Sequence, residues 1–272
     1  MDPERPLAIA EGLLSLPTAP FMEDLPIDHV MGFADDRPRL SRSLDAAGNV
    51  VVRYDGPGAD TSRPLVLVAH LDHPGFAVDG VADGTASLTF HGGLMAAHAH
   101  EGSPLHLFRR GQVEPVGVAE LVTADERAGR LTGGTARVVD GEAGTDGFAM
   151  WGFPGWSLDD GRIVGRVCDD LMGAAAALVT LDEVARQAPE GVSVWGLFTR
   201  AEEVGFLGAL AAIRLGTVPV GASILSLECS KALADAPQGD GVIVRVGDRM
   251  SIFDPGLTEA LRSAAEAAAA EL

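Results

Sequence analysis

Apolar positions along the chain fall into three textures. Residues 5–16 recur at helical spacing and are stopped by the Pro-Thr-Ala-Pro run at 17–20. Two strands are predicted next: GNVVVRY (48–54), opened by a Gly-Asn turn, and the almost wholly apolar RPLVLVAH (63–70). From about residue 74 to 163 the pattern changes to short β-like runs, ASLTF, PVGVAELV and TARVVD, divided by Gly, Asp and Pro without a helical period. After RIVGRV (162–167) helical spacing returns in MGAAAALVTLDEVARQA (172–188). Strand and helix then alternate, with strands expected at 192–198, 222–228 and 242–247 and helices at 205–215 and 256–271.

This alternation predicts an α/β protein whose mainly parallel, layered sheet carries helices on both faces. The β-rich stretch predicts a small all-β module, 74–163, inserted into a layered domain made of 1–73 and 164–272. No internal repeat is evident.

Composition narrows the functional classes. A chain of 272 residues, 47% hydrophobic, can bury one large core or two modest ones. Its formal net charge of −19 argues against nucleic acid or an anionic membrane as partner. Two cysteines, Cys168 and Cys229, without a Cys-x-x-Cys pair support neither a disulfide framework nor a thiolate zinc cluster. The N-terminal residues lack a basic stretch leading into an apolar one, and no apolar run reaches the roughly 20 residues of a membrane span. A cytoplasmic location is the resulting expectation.

Four motifs carry candidate chemistry, each at a predicted strand end, where ligands gather in α/β sheets. In VAHLDHPGF (68–76), His70 and Asp72 stand two apart and share one face of an extended chain, as a ligating imidazole and its supporting carboxylate would. A polar surface turn is the plainer alternative. In GRVCDDLMG (165–173), Asp169 and Asp170 lie between strand and helix; capping the helix needs one of them, leaving the other for a cation. In FTRAEEVGFLGA (198–209), Glu202 and Glu203 point in different directions, so one could bind metal while the other handles a proton. A solvated helix start would also favour Glu there. In ILSLECS (224–230), Glu228 ends an apolar strand, an uncommon place for an acid without a partner or a metal. Cys168 and Cys229 adjoin these positions and are expected to point away from them as small core residues.

The order His-x-Asp, Asp-Asp, Glu-Glu, acidic strand end resembles the co-catalytic di-zinc aminopeptidases. It is most similar to the glutamyl aminopeptidase and deblocking aminopeptidase family, whose members form tetrahedral shells. AHLDHPGF, the HGG at 91–93, GRIVGRVCDDLMG, FTRAEEVGFLGA and, less specifically, GVIVRVGDRMSIFDPGL (241–257) carry the likeness. It implies two divalent ions, zinc by analogy, with cobalt or manganese suited to the same N/O donors. His70 and Glu228 would hold one ion and Glu203 the other, with Asp169 bridging and Asp72 supporting His70. Glu202 would be the general base that takes a proton from the attacking water. The implied activity is removal of N-terminal residues from short peptides by a homo-oligomer, a dimer or larger shell, with 74–163 as the dimerisation module. Two further readings share the scaffold: an amidohydrolase acting on N-acyl amino acids, and a metal-binding or assembly protein without turnover.

The chain departs from the family pattern in three places. Leu171 follows Asp-Asp where a basic residue is usual, and His73 follows His-x-Asp where an acid is typical. The family also takes a last histidine ligand from near the C-terminus, whereas the seven histidines here, at 29, 70, 73, 91, 98, 100 and 106, all precede Glu228. The chain thus reads as short by at least one strand–helix unit, either a piece of a longer product or a natural short form. The missing ligand could also come from His98 or His100 of a neighbouring subunit. The expectation for the 272-residue chain is one tightly held zinc and slow aminopeptidase turnover.

Overall fold

The computed structural model describes residues 4–269. Two helices, α1 (Glu4–Leu14) and α2 (Asp24–Asp35), precede a short β1 (Ser41–Leu44), β2 (Val50–Asp55) and β3 (Leu65–His70). Six strands follow: β4 (Gly75–Ala82), β5 (Thr85–His91), β6 (Pro104–Arg109), β7 (Gly117–Arg127), β8 (Arg130–Gly141) and β9 (Gly147–Trp151). The hairpin of β10 (Ser157–Asp159) and β11 (Arg162–Val164) leads to α3 (Cys168–Gln187), β12 (Ser193–Thr199), α4 (Leu207–Leu215) and β13 (Ser223–Ser226). The final helix is α5 (Pro255–Ala269). The chain divides into two compact units, Met1–Cys229 and Ser230–Leu272.

In the first unit, five strands form a sheet in the order β1-β2-β12-β3-β13. The pairs β12/β3 and β3/β13 are parallel, whereas β1/β2 and β2/β12 are antiparallel. The sheet is therefore mixed rather than mainly parallel. The cause is local: the short turn from β1 into β2 permits only an antiparallel return, and β2 meets β12 in the same sense. Every residue of β12 is buried, which explains its unbroken apolar run. One sheet face, with Val50, Val52, Leu67, Ala69 and Phe198, packs against three helices. They contribute Leu13 and Leu14 from α1, Val30 and Phe33 from α2, and Ala174, Leu178 and Leu181 from α3. The other face sets Val51, Val66, Trp195 and Leu197 against Ala212 of α4.

Strands β4 to β9 close into a barrel in the order β4-β5-β8-β7-β6-β9. Alternation along β6 and β9 sends Leu105, Leu107 and Ala149 into the barrel core. The intervening Phe108, Phe148 and Met150 join the core of the layered sheet instead. Phe108 and Phe148 stack with ring centroids 5.4 Å apart. Barrel and sheet thus share packing inside one unit.

Two elements are absent from the sequence expectation. Helix α2 has Pro26 in its first turn, where the missing N–H costs no helical bond, yet proline after a Pro-rich break reads as loop. Strand β1 is the unpatterned Ser-Arg-Ser-Leu, extended because β2 pairs with it. Conversely, the strand expected at 242–247 does not form. Among the described residues of the second unit the only bridges are the isolated pairs Leu233↔Ala236 and Gly247↔Ile252. An alternating pattern without a ladder partner leaves its backbone unpaired and does not hold a strand.

Candidate metal centre

Strand register brings the motifs together. Thr199 of β12 pairs with His70 of β3, so the His-Leu-Asp and Arg-Ala-Glu-Glu segments leave adjacent strand ends side by side. On the other flank Ser226 of β13 pairs with Val68, and the Leu227 amide donates to the Val68 carbonyl at 2.8 Å. Two residues on from Ser226, Glu228 comes level with His70. Asp169 and Asp170 arrive from the start of α3, where their backbone is not yet helical.

His70 is the hub. Its Nδ1 donates to the backbone carbonyl of Asp72 at 3.0 Å, which leaves Nε2 facing the acids. Nε2 lies 3.4 Å from Asp169 Oδ1, 3.8 Å from Glu202 Oε2 and 3.9 Å from Glu228 Oε1. Two trios bring all their donor atoms within 4.8 Å of one another: His70, Asp170 and Glu228, and His70, Glu202 and Glu203.

Asp72 is fully buried, and its carboxylate does something the spacing does not reveal. Oδ1 lies 3.5 Å from His70 Nδ1, an ion-pair distance, while the closer contact of the imidazole is with the Asp72 backbone carbonyl. The carboxylate accepts the amides of Glu202 at 2.9 Å and Glu203 at 3.0 Å, one on each oxygen. It anchors the Glu-Glu segment to the end of β3.

The model of the M42 glutamyl aminopeptidase family matches residues 152–272, which hold three of the four motifs. In that segment the chain is similar to the M42 family. Solved structures extend the likeness to almost the whole chain. The Pyrococcus horikoshii TET1 peptidase, described as assembling into a tetrahedron or a large octahedral shell, is 18% identical with a TM-score of 0.73, over 95% of this chain and 80% of its own. An aminopeptidase from the archaeon Desulfurococcus kamchatkensis is 18% identical with a TM-score of 0.72, over 97% and 77%. The TET aminopeptidase of Thaumarchaeota archaeon SCGC AB-539-E09 is 16% identical with a TM-score of 0.74, over 98% and 80%. At such identities the likeness is one of fold. No curated protein matches the sequence.

The likeness to the M42 family suggests a divalent metal, and the donor groups gathered around His70 fit one. Asp170 is fully buried; Oδ1 caps α3 by accepting the Gly173 amide at 3.1 Å, while Oδ2 has no protein partner. Burial, with Glu228 and Asp169 nearby, pushes the Asp170 carboxyl up to about 8. Burial and the Asp169 charge push Glu203 up to about 8. Glu228 rises to about 7 through burial and Asp169, to which it is hydrogen-bonded. Burial opposes ionisation of Asp169, but its bonds to His70 and Glu228 outweigh this and hold it below the usual range. Glu202 is raised, chiefly by burial. Burial also opposes protonation of His70, but its contacts with Asp169 and Asp72 outweigh this and carry it up to about 11. Five carboxyls crowd one imidazole, and four of them are raised toward binding protons where cations would sit; their N/O donors suit zinc, cobalt or manganese.

A pH dependence follows. Carboxyls whose folded pKa exceeds the unfolded value near 4 favour the fold below that pH, and the contribution is withdrawn as pH rises through about 7 to 8. The metal-free chain is therefore expected to lose stability from pH 5 to pH 8. Zinc competes with those protons, so its stabilising shift in melting temperature should be larger at pH 8 than at pH 5.5. Equal shifts at both values would rule this account out.

His70, Asp169, Glu202, Glu203 and Glu228 all reach the centre, and Asp72 lies directly behind it. Asp170 joins them although its neighbour was expected to be the ligand: one oxygen caps the helix and the other faces the cluster. His73 also adjoins the site, its Nδ1 donating to the Asp169 backbone carbonyl, and burial lowers its pKa. Adjacency to Asp72 was the only sequence signal for it.

Proposed function

We propose that this chain is a metal-dependent aminopeptidase that removes N-terminal residues from short peptides. The observation that carries the reading is the meeting of His70 with Asp169, Asp170, Glu202, Glu203 and Glu228 at the ends of three adjacent parallel strands. His70, Asp170, Glu228, Asp169 and Glu203 would hold two divalent cations, zinc or a similar ion, which supply Lewis acidity to the scissile carbonyl and to water. Glu202 is the general base: it takes a proton from the attacking water and passes it to the leaving amine. Burial raises its pKa above the usual carboxylate value, which favours its taking up a proton. The peptide's terminal ammonium is drawn to the same acidic cluster, which favours exopeptidase over endopeptidase cleavage.

Residues 1–73 and 164–272 make up the catalytic part in this reading, and 74–163 serve assembly into a homo-oligomer; the structurally similar Pyrococcus horikoshii peptidase is described as forming shells. Among the described residues no helix is long and apolar enough to cross a membrane. The test compares amino-acid p-nitroanilides with N-acyl amino acids as substrates for the zinc- or cobalt-loaded chain. Turnover of the former alone is expected; turnover of the latter alone makes it a deacylase, and none at all leaves a metal-binding scaffold.

A further inference from the structure

Behind the Glu-Glu pair, a residue from the opposite end of the unit is built into the same turn. Glu23, just ahead of α2, has no exposed surface. Its Oε1 accepts the amides of Phe21 and Ala201, each at 3.0 Å. Its Oε2 accepts Nε of Arg200 at 3.0 Å and Nη2 at 2.8 Å. Four donors thus occupy the acceptor sites of one carboxylate. The two amides belong to residues in the left-handed region, Phe21 at φ 70° and Ala201 at φ 50°, a conformation that disfavours side chains larger than glycine. Both are held there by the same buried charge.

Glu23 completes a series. The amide of Arg200 donates to Asn49 Oδ1 at 3.1 Å, that of Ala201 to Glu23, and those of Glu202 and Glu203 to Asp72. Four successive amides, 200 to 203, are therefore bound by side chains from three separate segments. We infer that Glu23 is a positioning residue for the Glu202–Glu203 pair, fixing through Arg200 and Ala201 the turn that aims both carboxylates at His70. The inference rests on the aminopeptidase reading for its kinetic consequence but not for its structural one. A carboxylate is required because the amides need an acceptor on one oxygen while the guanidinium needs a charge on the other. In Glu23→Gln, Oε1 still serves the amides, but an NH2 group confronts Arg200 and the clamp opens on that side.

The test measures three properties of Glu23→Gln and of Arg200→Lys, which keeps the charge but loses the forked donor. Hydrogen exchange over 199–206 in the metal-free chain should accelerate about tenfold or more in Glu23→Gln, and less in Arg200→Lys. Zinc affinity should fall about tenfold, the usual scale for a residue that orients a ligand. On p-nitroanilides kcat should fall about ten- to a hundredfold with KM changed by less than about threefold, because the displaced group is the base and not the substrate pocket. If Glu23→Gln does not fold, Arg200→Lys provides the same readouts. Unchanged exchange and zinc affinity in a folded variant overturns the inference whatever the kinetics. If the wild type proves unable to cleave peptides, the functional reading falls, while exchange and zinc affinity still decide the role of Glu23.

Discussion

Glu202→Gln should lower kcat on amino-acid p-nitroanilides by about 10²- to 10⁴-fold, the range expected for loss of a positioned general base. Glutamine keeps the size and the hydrogen-bonding reach of the side chain but cannot take a proton. The backbone of residue 202 stays anchored, because Asp72 binds its amide and not its side chain. The decisive companion measurement is zinc content. Glu202 also belongs to a trio of donor atoms with His70 and Glu203, so its carboxylate could serve as ligand rather than base. A base predicts the rate loss with zinc affinity within about threefold of wild type, since the remaining donors are intact. Activity lost in proportion to zinc would transfer Glu202 to the ligand set, and retention of a tenth or more of the rate would remove it from the chemistry.

Asp72 should produce the largest combined loss of stability and metal affinity. In Asp72→Ala the amides of Glu202 and Glu203 lose their only acceptor in a buried site, at about 1–3 kcal/mol each. The fold of the metal-free chain should thus be destabilised by about 2–6 kcal/mol, read from urea unfolding. Asp72→Asn keeps one carbonyl oxygen for one amide but turns an NH2 toward the other, so its loss should be intermediate. Zinc affinity should fall about 10- to 100-fold in both, because the Glu-Glu segment is no longer held beside His70. The backbone carbonyl of residue 72 that accepts from His70 survives either change, although the weaker ion pair between the Asp72 carboxylate and His70 is lost in both. Variants within about 0.5 kcal/mol of wild type would show that the two amides find other partners.

How much of this was legible beforehand varies by element. The runs that became β3 and β12 were plain because strands covered on both faces are apolar throughout. Helix α3 was plain because its apolar positions keep a helical period over most of its length. β1 and α2 were not, since one has no alternation and the other carries a proline. GVIVRV misled in the opposite direction: alternation records a preference for extended backbone, and a strand also needs a neighbour. In the site, the identities of His70, Asp169, Glu202, Glu203 and Glu228 came from acids and an imidazole placed at strand ends. The separate jobs of Asp169 and Asp170 did not, because adjacent side chains at a helix start diverge according to backbone angles that no spacing encodes.

By itself the sequence carried most of the strand and helix texture and the set of acids that could serve a cation. Those are local properties, written in periodicity and residue type. Tertiary structure alone decided which of them meet. The pairing of Thr199 with His70, and of Ser226 with Val68, is set by ladders between segments far apart in the chain. The binding of Arg200 and Ala201 by Glu23, 177 and 178 residues away, is set by burial of a charge that must find four donors. Hydrogen bonds and burial across such separations leave no periodic trace, so the turn holding Glu202 and Glu203 became visible only in the folded chain.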